Sequence, residues 1–180
     1  TQGCMTDFMA YEFWAARIAK ELGSDYAFWN CGLGWARSSD CAQKGNWLGR
    51  ALNSDIMIVA FGTNDIVSGE YGGDGGNNAD EVNGYISTIL EQTQAAGCKT
   101  ILFNAPPQDY DEEHEAVRTA LNDMEKQTSE KYGAEYFDFA AQLSPADDPS
   151  AALYGGHPNG EGGEAVCKAF MKQFAELFEK

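Results

Sequence analysis

Asp55-Ile-Met-Ile-Val-Ala-Phe-Gly-Thr-Asn-Asp65 is the stretch from which the fold can be read. Ile56 to Phe61 is an unbroken apolar run, rich in branched side chains and stopped by Gly62, the pattern of a central parallel strand buried on both faces. Thr63, Asn64 and Asp65 follow at once. Open α/β sheets bind ligands beyond the carboxyl ends of their strands, so this polar cluster already stands in the functional position. The amide of Asn64 is its most telling group.

Upstream, Tyr11, Trp14, Ala15, Ile18 and Leu22 recur at steps of three and four and predict a helix over residues 6–22, with Asp7 near its start and Gly23 at its end. Residues 26–30 read as a short aromatic strand. The loop from Asn30 to Ser39 lies at its carboxyl end, and Gly32 and Gly34 allow backbone there to approach a ligand. Residues 39–51 read as helix. Downstream, the Gly- and Asn-rich residues 68–78 form a solvated loop, in which one GGDGGN run is too little for a calcium-binding repeat.

Val82, Ile86, Ile89, Leu90 and Thr93 predict the next helix, ended near Gly97, and residues 100–103 the next strand. Asn104-Ala-Pro-Pro-Gln108 breaks that strand, because neither proline can donate to a ladder. Val117, Leu121, Met124 and Thr128 mark a further helix, and residues 135–139 a further strand. A last helix over residues 160–178 faces Val166, Phe170, Phe174, Leu177 and Phe178 inward. Alternating strands and helices imply right-handed crossovers and one α/β domain over residues 1–180, a three-layer α/β/α sandwich with a parallel sheet.

At 180 residues the chain can close one core, and its 28 acidic against 12 basic residues give a formal charge of −16. That charge argues against nucleic acid and against anionic membranes as partners. No apolar run is long enough to span a bilayer and no signal peptide is legible, so the chain reads as soluble. Cys4, Cys31, Cys41, Cys98 and Cys167 show no metal-ligand spacing. Cys98 and Cys167 read as small buried apolar groups. Cys31 and Cys41 read as free thiols, or as a bridge in an oxidising compartment. No metal and no cofactor is expected. Without a GxxxxGK[ST] or GxGxxG after a strand, a nucleotide-binding sheet is set aside.

Of the two histidines, His114 lies among carboxylates at a helix start and reads as a surface residue. His157 differs. It precedes Pro158, which favours an extended backbone, and Asn159 is placed to cap the last helix, so the imidazole is held on a fixed corner.

Gly62-Thr-Asn-Asp65 and His157-Pro158-Asn159 with Gly162 or Gly163, in this order on alternating strands and helices, resemble two blocks of the SGNH hydrolases, also called GDSL esterases and lipases. The glycine loop from Asn30 to Ser39 resembles a third block, and the likeness covers essentially the whole chain. It implies a flavodoxin-like sheet and an acyl-enzyme mechanism in which a serine attacks an ester carbonyl. By the same resemblance His157 takes the serine proton, while Asn64 and the backbone of Gly34 hold the oxyanion; the family's spacing from Asn30 also allows Trp35 in place of Gly34. A neutral amide suits that role because it faces developing negative charge without titrating, and one such donor is worth about 3 kcal/mol of barrier in related chemistry.

Two departures from the family pattern stand out. Thr1-Gln2-Gly3 resembles the tail of the Gly-Asp-Ser block that carries the nucleophile, so the serine is expected two places before Thr1. Ser38 and Ser39 read as turn and cap residues. The family's first strand lies between two others, and without it the sheet must tolerate a gap, rearrange, or borrow a strand in a homo-oligomer. Secondly, Tyr154 stands where the family's D-x-x-H has its acid. A phenol stays neutral at pH 7, which leaves a Ser-His dyad on a backbone carbonyl, or Asp147 or Asp148 as the acid.

Trp35, Trp47, Tyr71 and Tyr110 fall in or near loops at the catalytic edge, where aromatic faces stack on sugar rings or simply pack. Trp35 and Tyr154 are the substrate-binding candidates. The expected activity is removal of a small acyl group, chiefly acetyl, from a carbohydrate or other small ester by a protein of the secreted bacterial kind. The alternative is a non-catalytic binding or interaction module on the same fold, favoured by the missing serine and by Tyr154.

Overall fold

The computed structural model describes residues 13–32, 34–43, 53–67, 78–108, 110–143, 153–154 and 157–179. Along the chain run α1 (Trp14–Leu22), α2 (Ser38–Gln43), β1 (Ile56–Ala60), α3 (Thr63–Val67), α4 (Ala79–Ala95) and β2 (Lys99–Phe103). They are followed by α5 (Glu112–Lys131), β3 (Glu135–Phe137), α6 (Phe139–Leu143), β4 (Leu153–Tyr154), β5 (His157–Pro158) and α7 (Gly160–Gln173). These elements fall into two compact units, one holding α2 to α5 with β1 to β3, the other α1, α6, α7 and the β4–β5 hairpin.

In the first unit the strands form a parallel sheet of order β1-β2-β3. Its register sets Ala60 beside Phe103 and Phe103 beside Phe137, so all three strands end level. Residues 61–65, the Asn104 segment and Asp138 therefore leave the sheet at one carboxyl edge, where α/β sheets bind ligands. The crossover from β1 to β2 contains α4, whose Val82, Ile86, Ile89, Leu90 and Thr93 are all buried as their spacing predicts. Asn78 starts that helix by accepting from the Glu81 amide at 2.9 Å. Asp111 does the same for α5 through the His114 amide at 2.8 Å. Val59, Leu102, Leu121 and Ile66 join the α4 stripe in one core cluster.

Three expectations need correction here. The central strand of the described sheet is β2, buried from Thr100 to Phe103, whereas β1 is an edge on which only Val59 is fully buried. Its apolar run reflects half-burial without a ladder partner on its other side among the described residues. His114 is not simply solvated, since its Nδ1 lies 2.8 Å from Asp111 Oδ1. Tyr110 is no free platform, because its half-buried ring packs on the core cluster and its hydroxyl is buried. Burial pushes that phenol up to about 12.

In the second unit α1 packs on α7 through Trp14, Ala15, Ile18, Val166 and Phe170. Trp14 meets Phe139 of α6 edge-on at 6.0 Å. Gly23, at φ +68°, ends α1 as expected. Residues 26–30, expected as a strand, pair with no strand among the described residues; Tyr26 donates to the Phe178 carbonyl at 3.0 Å instead. The last helix stops at Gln173 and gives way to a 3-10 turn over Ala175–Phe178, which leaves Leu177 and Phe178 half-buried rather than inward.

Candidate functional site

The Gly62-Thr-Asn-Asp65 block begins at a constrained backbone. Gly62 has φ +113°, and a Cβ there would stand 2.7 Å from the Cβ of Ala105, so only glycine fits where the strand turns into α3. The turn puts Asn64 at the carboxyl edge, half-buried. Its Nδ2 donates to the Ala36 carbonyl at 3.0 Å. A primary amide carries two hydrogens, and this bond uses one of them to orient the side chain.

Ala36 belongs to the turn that carries Gly34 and Trp35. Gly34 is exposed, and Trp35 takes φ +64° with 68% of its surface exposed. A left-handed backbone costs a tryptophan about 1–2 kcal/mol, a strain that persists where surrounding structure imposes it. Beyond Trp35 the chain is tied at Ser38 to Asp65. Its carboxylate, fully buried, accepts from the Ser38 amide at 3.0 and 3.1 Å, from the Ser38 hydroxyl at 2.6 Å and from the Gly62 amide at 3.2 Å. Burial pushes the pKa of Asp65 up, while Ser38, the Gly62 amide and the Arg37 charge pull it back.

Ser38 therefore opens α2 as a buried partner of Asp65 rather than as a surface turn residue. Neither its contact nor that of Asp65 was expected. The available signal was a carboxylate directly behind an apolar strand, which has to find donors.

The unit boundaries place Gly34, Trp35 and Asn64 together in the first unit and Tyr154 and His157 in the second. In the second unit the backbones of Tyr154 and His157 are paired in antiparallel register between β4 and β5. Pro158 is buried, and the Asn159 side chain accepts from the Gly162 amide at 2.9 Å, starting α7 as its sequence suggested. Arg17 of α1 donates to the Gly160 carbonyl at 3.2 Å and secures the same corner. These contacts hold the backbone that follows His157. Asp147, Asp148, Trp47, Tyr71 and the GGDGGN run lie outside the described residues.

Cys31 and Cys41 are free thiols, the first exposed and the second buried, and burial pushes Cys41 up to about 11. Cys98 and Cys167 are buried and free. Among the described residues no cluster of three His, Cys, Asp or Glu is built to hold a metal, and no helix is long and apolar enough to cross a membrane.

The family model of the GDSL-like lipase/acylhydrolases matches residues 1–165. Among solved structures the chain is similar to TesA at 14% identity and a TM-score of 0.75, with 98% of this chain and 94% of that one covered. It is similar to the M. smegmatis aryl esterase at 16% identity and a TM-score of 0.72, with 98% and 92% covered. A variant of Axe2, an acetyl-xylooligosaccharide esterase from Geobacillus stearmophilus, is similar at 16% identity and a TM-score of 0.63, with 77% and 68% covered. These likenesses show the fold, an α/β sandwich on a parallel sheet. No curated protein sequence matches the chain.

Proposed function

The chain belongs to the GDSL-like lipase/acylhydrolase family, and from that premise we propose that it serves a serine esterase that removes small acyl groups, chiefly acetyl, from a saccharide. In this reading the nucleophile is the serine of a Gly-Asp-Ser segment ahead of Thr1, and His157 takes its proton as the ester carbonyl is attacked. The resulting oxyanion is held by the second hydrogen of the Asn64 amide and by the Gly34 backbone amide. Water then hydrolyses the acyl-enzyme, with His157 acting in reverse.

The observation that carries the reading is the orientation of Asn64. Its amide is fixed by Ala36, two residues beyond Gly34, so both proposed donors share one rigid corner at the carboxyl edge of the sheet. Donors fixed in advance cost no reorganisation when charge develops, which is the main source of rate in acyl transfer. For the saccharide, the support is Trp35, an exposed indole beside Gly34 on a left-handed backbone. With Tyr154 where the family has its acid, His157 is oriented in this reading by a backbone carbonyl, or by Asp147 or Asp148.

The test is hydrolysis of p-nitrophenyl acetate by this chain and by a version carrying a Gly-Asp-Ser first strand, each with a His157→Ala control. The serine-bearing version is expected to turn over, and His157→Ala to lose on the order of 10³-fold or more. Activity indifferent to His157 would leave the second reading, a non-catalytic binding module. Preference for acetylated xylo-oligosaccharide over long-chain p-nitrophenyl esters is expected, and the opposite preference contradicts the saccharide assignment.

A further inference from the structure

Three donors converge on the two oxygens of Asp65: the Ser38 amide, whose one hydrogen is shared between both oxygens, the Ser38 hydroxyl and the Gly62 amide. The arrangement calls for a group that only accepts. An asparagine in its place would turn an NH₂ against those donors. Both partners are fully buried, at 0% exposure, which keeps water from replacing the contact. The two segments so joined are the turn carrying Gly34 and the strand end carrying Asn64, and the Asn64–Ala36 bond runs alongside as a second link.

We propose that Asp65 is a positioning residue of the oxyanion hole, which through Ser38 holds the Gly34 turn against the Gly62–Asn64 strand end. The proposal rests on the esterase reading above. Asp65 has no surface through which to touch substrate, so it acts on the reaction only by fixing where the donors stand. A displacement of the donors by about 1 Å is enough to cost on the order of 10²-fold in rate.

The experiment measures Asp65→Asn, Ser38→Ala and the double variant in the serine-bearing chain, and amide hydrogen exchange in the 180-residue chain itself. With p-nitrophenyl acetate, Asp65→Asn is expected to lower kcat about 10- to 100-fold with KM within about twofold, and Ser38→Ala about 3- to 10-fold. The double variant falls no lower than Asp65→Asn, because both changes cut one tether. In the unmodified chain the Ser38 and Gly62 amides exchange faster after Asp65→Asn, while Ile101 and Leu102 of β2 keep their protection and report an intact fold.

Unchanged kcat in both single variants, with His157→Ala still inactive, overturns the proposal and leaves the esterase reading standing. So do effects that multiply in the double variant. Turnover indifferent to His157 removes the esterase reading instead, and the positioning role with it. If Asp65→Asn does not fold, Ser38→Ala, which deletes one hydroxyl, carries the test: a kcat equal to the parent's is then the contrary result.

Discussion

Asn64 donates from Nδ2 to the Ala36 carbonyl oxygen at 3.0 Å, so the amide that follows the core strand is aimed by the turn that carries Gly34. Replacing Asn64 by alanine removes a donor without leaving a buried charge. In the serine-bearing chain kcat for p-nitrophenyl acetate is expected to fall about 10²- to 10³-fold. Urea unfolding should shift by no more than about 1 kcal/mol, the net worth of one half-buried hydrogen bond. A large loss of stability with kcat per folded molecule unchanged would assign Asn64 to structure alone.

Gly62→Ala is expected to act on the fold. The added Cβ meets Ala105, and Ala105 cannot withdraw, since its amide donates to Asn122 Oδ1 at 3.0 Å and its carbonyl accepts from Asn122 Nδ2 at 3.1 Å. Positive φ adds to the clash. The expected destabilisation is about 2–4 kcal/mol in urea unfolding, and a change under about 0.5 kcal/mol would mean that the strand end yields.

Glu125 of α5 is fully buried, and neither carboxyl oxygen meets a hydrogen-bond partner among the described residues. Burial pushes its pKa well above the usual carboxylate range, the Ala105 amide opposes that shift, and the Asp65 charge adds to it. The folded chain therefore holds this proton more tightly than the unfolded chain. Its contribution to stability is full below the ordinary carboxylate range and declines as pH rises from there toward the folded pKa. Glu125→Gln should flatten that decline, with the variant the more stable on the alkaline side. Chemical denaturation across pH reads this directly, and a variant less stable at every pH would contradict it.

Much of the fold was legible because burial and periodicity coincide. The α4 stripe is the clearest case, since Val82, Ile86, Ile89, Leu90 and Thr93 are the residues its spacing singled out. Residues 26–30 were misread because aromatic content mimics strand propensity, while the chain there is held by a side-chain bond from Tyr26 to Phe178. In the candidate site, the strand stop at Gly62 and the helix cap at Asn159 were legible from local sequence. The Ser38–Asp65 pair was not, because its partners are 27 positions apart and no local pattern links a serine at one helix start to a carboxylate behind a strand.

Trp35 combines exposure with a backbone that tryptophan rarely adopts. Asparagine tolerates the left-handed region better, so Trp35→Asn should leave thermal stability level or slightly higher. If the indole is a sugar platform, KM for an acetylated xylo-oligosaccharide rises about 5- to 10-fold while p-nitrophenyl acetate is turned over as before. Equal loss on both substrates would place Trp35 in general support of the turn.

The proposed mechanism has Asn64 and His157 act on one serine. A phosphonate ester of p-nitrophenol phosphonylates such a serine through the same attack and leaves a tetrahedral adduct, whose mass and rate of formation are both measurable. In the serine-bearing chain a single adduct is expected on the added serine, formed on the order of 10²-fold more slowly in Asn64→Ala and slower still in His157→Ala. An adduct on another residue, or one formed at the parent rate in both variants, would contradict the account.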